Sequence, residues 1–494
     1  MEEPKKIVIT RAKIKVYSVT HQLLADGVGY VKIKAFQGRT AEDVATAVRT
    51  MRKENKSALS GIILDLRNNP GGLLDQSVEV SNLFLNDGVI VVTQEGGARG
   101  ERKEIRAVPR PDKITAPLVV LVNGGSASAS EIVSGAIKNR GRGLIVGDQT
   151  FGKGSVQQLY DFPDSSSLKL TIGQYLTPGD ESIQSVGITP DVLVRPMLAN
   201  SADEINIFPD DLAREEDLAS HLNDARTRLR KPEQKLAYLT KPLEEGEAQR
   251  RETSSDFHSD FETDFAMRVL KAAPKNAGSR SALLTASKAV VDQVRAEETG
   301  KIHAALKKLD VDWTEGSDGG KGKLEVRVID SKPVVAGDTL EVKVEAKNTG
   351  SAPLYRVRGI SESTLGYYGD REFLFGALPA GATRTWTSKI KIPKDLITRR
   401  DVVRVNVVDG TEQIEASVDV PVEVEGRDRP GFSYALFIDD SRGGNGDGML
   451  QVGESVELVV SVRNAGKGTA ERPMALLKHL GGAEVFIDRG RQQL

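Results

Sequence analysis

The sequence contains no cysteine. That excludes disulfides and thiolate metal sites but leaves the compartment open, because an envelope protein can do without cysteine. Histidine is also scarce, with five in 494 residues and none between residues 22 and 197. A Ser/His/Asp triad in that stretch would have to borrow His21 or a residue from elsewhere. Neither sign of charge dominates, with 68 Lys and Arg against 70 Asp and Glu, so there is no basic footprint for nucleic acid. No apolar run approaches the ~20 residues of a membrane-spanning helix. Met1-Glu2-Glu3-Pro4-Lys5-Lys6 does not read as a signal peptide. With 39% hydrophobic and 28% charged residues, the composition is that of a globular chain of about three or four domains.

The informative stretch is Asn123-Gly124-Gly125-Ser126-Ala127-Ser128-Ala129-Ser130-Glu131-Ile132. Before it, Pro117-Leu118-Val119-Val120-Leu121-Val122 reads as a buried strand. After it, Ile132, Val133, Ala136 and Ile137 recur at helical spacing. The serines therefore sit on a strand-to-helix turn, where the first amides of the helix and its positive dipole end can stabilise an oxyanion. Ser128-Ala129-Ser130-Glu131 is also a capping box. Capping accounts for one serine, not for three in five residues behind a double glycine.

Twenty-five positions after Ser128, Phe151-Gly152-Lys153-Gly154-Ser155-Val156-Gln157 places a lysine between two glycines. A lysine that acts as a base must be neutral, and burial favours the neutral form. Gly147 to Lys153 nearly spells a phosphate-binding loop, but Gly154 stands where a magnesium-binding Ser or Thr is needed. Val156 to Phe162 then reads as a strand, not the required helix. An extended segment puts Lys153, Ser155 and Gln157 on one face, so Gln157 can orient Lys153. A Ser/Lys pair needs no histidine.

These residues, with Asp65-Leu66-Arg67-Asn68-Asn69-Pro70-Gly71-Gly72 and Gly187-Ile188-Thr189-Pro190-Asp191, resemble the carboxyl-terminal processing (tail-specific) serine peptidases from about Ile7 to Val194. The resemblance implies an α/β catalytic core of crotonase/Clp-protease-like β/α layers. It also implies Ser128 as nucleophile, Lys153 as general base, Gln157 as its partner, and the backbone N–H groups of Gly72 and Ala129 as the oxyanion hole. Read without the family, the Gly71-Gly72 turn is equally a plain strand-helix connection. Some members carry an Asp eleven residues after the nucleophile, where this sequence has Asn139.

The expected organisation is multidomain. Residues 1–20 would be the remnant strand of a missing PDZ domain, 21–197 the peptidase core, and 198–318 a charged helical region and linker. In that helical region Leu212, Leu218, Leu222, Ala225 and Leu229, then Phe265, Val269, Leu270 and Leu283 to Val291, mark the apolar positions, and Glu244 to Asp256 reads as a solvated run. Residues 322–426 read as a β-sandwich, and 427–494 as a second, incomplete one. The two are related by an internal repeat at offset 116. Ala336-Gly337-Asp338 to Asn348-Thr349-Gly350 matches Val452-Gly453-Glu454 to Asn464-Ala465-Gly466, and both resemble immunoglobulin-like adhesion modules. The acidic loop 439–448 has oxygen donors suited to calcium, but Met449 breaks the ligand pattern, so a solvated hairpin loop is the better reading.

The leading expectation is a serine endopeptidase that cleaves proteins or peptides near their C-termini in the cell envelope, with no cofactor, no metal and no transmembrane segment. The alternative is an inactive envelope scaffold acting through its β-sandwich modules.

Overall fold

The structure, a computed structural model, describes residues 17–96, 100–164, 166–208, 215, 230–242, 257–274, 277–317, 319–479 and 485–494. It divides into two compact units, Met1–Asp310 and Val311–Leu494.

In the first unit the strands are β1 (Val19–Leu23), β2 (Val28–Ile33), β3 (Gly61–Asp65), β4 (Val89–Glu95), β5 (Arg102–Arg106), β6 (Leu118–Val122), β7 (Leu144–Gly147), β8 (Ser155–Asp161), β9 (Ser167–Thr177), β10 (Glu181–Ser182), β11 (Val192–Ser201), β12 (Glu204–Asn206) and β13 (Gln234–Thr240). The helices are α1 (Thr40–Asn55), α2 (Leu74–Phe84), α3 (Ala129–Asn139), α4 (Phe261–Ala272) and α5 (Arg280–Lys308). An eight-stranded sheet runs β1-β2-β3-β6-β7-β11-β12, with β13 also on β11. Its centre from β2 to β11 is parallel.

A parallel sheet needs cover on both faces, and strand β6 shows how that is met. Leu118, Val120 and Val122 point into a core with Val44, Val48 and Met51 of α1, Val80 of α2, and Val133 and Ile137 of α3. Val119 and Leu121, on the opposite face, join Phe265, Val269 and Leu270 of α4 and Leu283, Val290 and Val291 of α5. A second sheet, β10-β9-β4-β5 with β8 on β9, packs against the remaining side of α3 through Ile132, Ala136, Ile90, Val91 and Tyr175. Helix α3 thus lies between two sheets, which is why it is buried nearly all round, Ser130, Glu131 and Ser134 included.

The region expected to be helical from residue 198 to 318 differs in part. Strand β11 runs through the boundary at 197 to Ser201, and β12 and β13 are strands. Strand β13 extends the main sheet in parallel from Val192↔Gln234 to Leu198↔Thr240. Only Leu236 of β13 is fully buried, so its seven residues carried too little alternation to stand out from a charged background. The expected helices form at α4 and α5. Leu212, Leu218, Leu222, Ala225, Leu229, the run 244–256 and the strand pattern at 7–16 lie outside the described residues. No described helix is long and apolar enough to cross a membrane.

The second unit is built of strands: β14 (Leu324–Ser331), β15 (Val334–Val335), β16 (Thr339–Asn348), β17 (Leu354–Glu362), β18 (Glu372–Leu378), β19 (Thr383–Lys391), β20 (Arg399–Val408), β21 (Glu415–Glu425), β22 (Phe432–Asp439), β23 (Glu457–Asn464), β24 (Met474–Leu476) and β25 (Arg491–Gln493). Two sheets, β14-β16-β19 and β15-β21-β20-β17-β18, contain the first repeat copy. Along β16, Leu340, Val342, Val344 and Ala346 are buried between charged neighbours.

The second copy repeats the hairpin. Strand β22 pairs with β23 and Phe432 faces Asn464, as Leu324 faces Asn348 in β14–β16. Each asparagine closes the same turn: Asn348 Nδ2 donates to Ala352 O and Asn464 Nδ2 to Gly468 O, both at 2.8 Å. In the loop 439–448, Asp440 turns inward and accepts the N–H groups of Gly446, Asp447 and Gly448. Among the described residues no group of three His, Cys, Asp or Glu is placed to hold a metal ion.

Candidate active site

The site forms where β6 ends and α3 begins. Ser128 is the N-cap of α3, with φ 54° and ψ −111°, a left-handed backbone that costs a non-glycine residue about 1–3 kcal/mol. Such an elbow pushes the side chain off the end of the strand. The three serines then part company. Ser126 Oγ donates to Leu66 O at 2.8 Å, and Ser130 Oγ to Asn69 O at 2.9 Å. Both are completely buried. The Ser128 hydroxyl is partly exposed; it faces the Glu131 N–H in the capping box and donates to none of the described residues.

What Ser126 and Ser130 hold is the loop after β3. Asn68 and Asn123 bond reciprocally at 2.9 Å, and Ala127 N donates to Asn69 O. Asn69 Nδ2 reaches Ile33 O, and its Oδ1 accepts Gly71 N. Gly71 and Gly72 have φ of 100° and 142°. A Cβ on Gly71 would stand 2.9 Å from the Ser128 Cβ, and one on Gly72 2.1 Å from Phe36 O. No side chain fits at either position, and the loop backbone lies directly against Ser128. The N–H groups of Gly72 and Ala129 have no hydrogen-bond partner among the described residues.

Lysine 153 comes from the loop before β8, and a completely buried carboxylate ties that loop to the serine turn. Glu131 Oε2 accepts Ser128 N at 2.7 Å and Lys153 N at 2.9 Å; its Oε1 accepts Thr150 Oγ1 at 2.6 Å and Gly152 N at 2.7 Å. Phe151 N donates to Ser126 O. Burial pushes the Glu131 carboxyl up to about 7, against the pull of these four donors. From sequence Glu131 was legible only as a cap; nothing local signals that it also receives the lysine loop.

Lys153 Nζ lies 3.5 Å from Gln157 Oε1, with Gln157 at the start of β8 as expected. The lysine is only half-buried, less than the expected base requires, because β8 is exposed from Gln157 onward. Its amine is not hydrogen-bonded to Ser128 Oγ. Asn139, at the other end of α3, donates to Thr177 Oγ1 and Pro178 O. Eleven helical residues put it roughly 16 Å along the axis from the serine. Asp191 is buried and structural, accepting Ile145 N and the Arg280 fork.

A serine on a strained strand-to-helix elbow, with two free backbone donors at hand and a lysine loop bonded to the same buried carboxylate, marks a serine-hydrolase type of core. Residues 27–194 match Peptidase family S41. The chain is 42% identical over 201 residues to the carboxy-terminal-processing protease of Bartonella bacilliformis, covering 40% of this chain and 45% of that protein. It is 36% identical over 206 residues to the carboxyl-terminal-processing protease of Synechocystis sp., covering 41% and 47%. Among solved structures, a photosystem II D1 C-terminal processing protease is 34% identical, with 37% of this chain and 50% of that one covered and a TM-score of 0.33. The chain spans about half the length of the curated relatives it matches.

Proposed function

We propose that this chain carries a serine endopeptidase centre in which Ser128 is the nucleophile and Lys153 the general base. It acts on proteins or peptides near their C-termini in the cell envelope. The observation that carries the choice of nucleophile is the division among three serines: two are consumed as buried donors, and the third, on the elbow, donates its proton to none of the described residues. Ser128 Oγ attacks the scissile carbonyl and its proton passes to the neutral Lys153 amine, which returns it to the leaving amine. The Gly72 and Ala129 N–H groups receive the developing oxyanion. For this the Lys153 side chain turns from Gln157 towards Ser128, since catalytic hydrogen bonds tighten when substrate arrives. Gln157 is the group that holds the amine in the meantime. In the second unit, the shared asparagine turn and hairpin support a pair of immunoglobulin-like repeats.

The half-exposed lysine favours one rival, an inactive scaffold acting through its β modules. A fluorophosphonate probe with peptide mapping separates the two. Label on Ser128, lost in Ser128→Ala and kept in Ser126→Ala and Ser130→Ala, together with release of C-terminal fragments from an unstructured substrate, is the expected result. No label on the wild type, or full peptide hydrolysis by Ser128→Ala, sinks the assignment.

A further inference from the structure

Helix α4 lies wholly outside residues 27–194, yet it grips both ends of β3, the strand that leads into the Gly71-Gly72 loop. At the start of β3, a Cβ on Gly61 would stand 2.7 Å from Leu270, so strand and helix touch there without a side chain between them. At its far end, Arg67 forks onto the completely buried Asp65, with Nε to Oδ1 at 3.0 Å and Nη2 to Oδ2 at 2.7 Å. Its remaining nitrogen, Nη1, reaches Asp260 Oδ2 and Glu262 Oε2, each at 2.8 Å.

Those two carboxylates are themselves fixed. Asp260 caps α4, accepting Thr263 N at 2.9 Å and Thr263 Oγ1 at 2.7 Å. Glu262 accepts the Tyr238 hydroxyl at 3.2 Å, and Tyr238 stacks on Phe261 with ring centroids 3.9 Å apart. Phe265, Val269 and Leu270 anchor the helix in the sheet core. Arg67 and Glu262 are largely shielded, with 12% and 17% of their side chains exposed, while Asp260 is 38% exposed, and a shielded, forked guanidinium sets geometry more strictly than a surface pair. Asn68 follows Arg67 directly and starts the loop that ends against Ser128.

We propose that Asp260 and Glu262 are positioning residues for the nucleophile site. Through Arg67 they hold the start of the Asn68–Gly72 loop and so set where the Gly72 N–H stands relative to Ser128. This rests on the reading of Ser128 and Gly72 given above. A displaced oxyanion donor lowers the rate of the chemical step while leaving substrate binding almost untouched.

The test uses the full chain with Asp260→Asn, Glu262→Gln and the double variant. Turnover of an internally quenched peptide is expressed per site titrated with a fluorophosphonate. Hydrogen exchange of residues 68–73 is followed in the same proteins. The double variant should lose kcat by roughly ten- to a hundredfold, short of the 10²–10³ lost with an oxyanion donor, with KM within about twofold. Its loop should exchange roughly tenfold faster, and Glu262→Asp should recover part of both. Arg268→Ala, on the same helix but paired with Glu297 at the surface, should change neither. Unchanged kcat per titrated site overturns the proposal, even if the thermal midpoint falls, because a purely structural role lowers the number of active molecules and not their rate. If the wild type takes no label, the Ser128 reading fails on its own; the loop exchange still decides whether α4 holds Arg67, and unchanged exchange overturns that.

Discussion

The two halves of the candidate dyad are built differently. Ser128 is fixed by backbone: an elbow with a defined φ, a helix buried between two sheets, and hydrogen bonds from Ser126, Ser130 and Asn123 to the facing loop. Lys153 shares only its backbone N–H with that network. Its side chain leans on Gln157, at the root of a hairpin whose Leu159, Tyr160, Leu168 and Leu170 are exposed. The Ser128 side chain thus starts from a fixed backbone, whereas the Lys153 side chain has rotamer freedom left to lose. On the proposed reading, ordering that lysine weakens each encounter with substrate.

Removing the base breaks this contrast most severely. Lys153→Arg retains the positive charge and the length but cannot supply a neutral amine. It should therefore abolish peptide hydrolysis as completely as Lys153→Ala, a loss of about 10²–10⁴-fold or more for a general base. The Ser128 turn should keep its fold, as checked by an unchanged thermal midpoint. Activity in Lys153→Arg above one tenth of wild type would mean that another group takes the proton.

Glu131 joins the two halves, and its substitution gives the next largest effect. Every partner of this carboxylate donates to it, so Glu131→Gln leaves at least one buried N–H facing an amide N–H. That costs about 1–3 kcal/mol and shifts Lys153 relative to Ser128, so kcat should fall roughly in proportion. The sign of the pH effect follows from burial. A carboxyl held up to about 7 in the folded chain binds its proton more tightly than in the unfolded chain. Its contribution to stability is full below the ordinary carboxylate range and is lost as pH rises through about 7. The thermal midpoint of the wild type should fall across that window more steeply than that of Glu131→Gln. Parallel pH curves for the two proteins would exclude a titrating Glu131.

The elements that could be read directly from the sequence are those with a local cause. The buried run of β6, the glycine-led turn and the helical spacing of Ile132 to Ile137 declare themselves within a dozen residues, and each copy of the asparagine-ended repeat within fifteen. What stayed hidden depends on partners distant in the chain. Arg67 meets Glu262 across 195 positions, and Ser130 meets Asn69 across 61. Ser130, which local pattern shows only as one serine of the turn, thus serves as a latch. Strand β13 was missed for the same reason, since its pairing to β11 and not its own seven residues makes it a strand.

The smallest expected effect on activity concerns the repeat, where equal local patterns meet unequal burial. Val344 of β16 is fully buried, whereas its counterpart Val460 of β23 is 37% exposed. Strand β16 is flanked by β14 and β19, whereas β23 pairs only with β22 among the described residues. One face of that hairpin, Phe432, Tyr434 and Leu436 with Val460 and Val462 opposite, carries apolar side chains that no described sheet covers. A two-stranded ribbon is marginal by itself, and an open edge beside exposed apolar side chains invites pairing with another chain. Limited proteolysis should therefore cut within 427–494 before it cuts within 325–425. Removing 427–494 should reduce self-association while leaving peptidase activity per titrated serine within about twofold, because the serine, the lysine and the α4 clamp all belong to the first unit. First cuts within 325–425 would show instead that the second hairpin gains its cover from a source other than these strands.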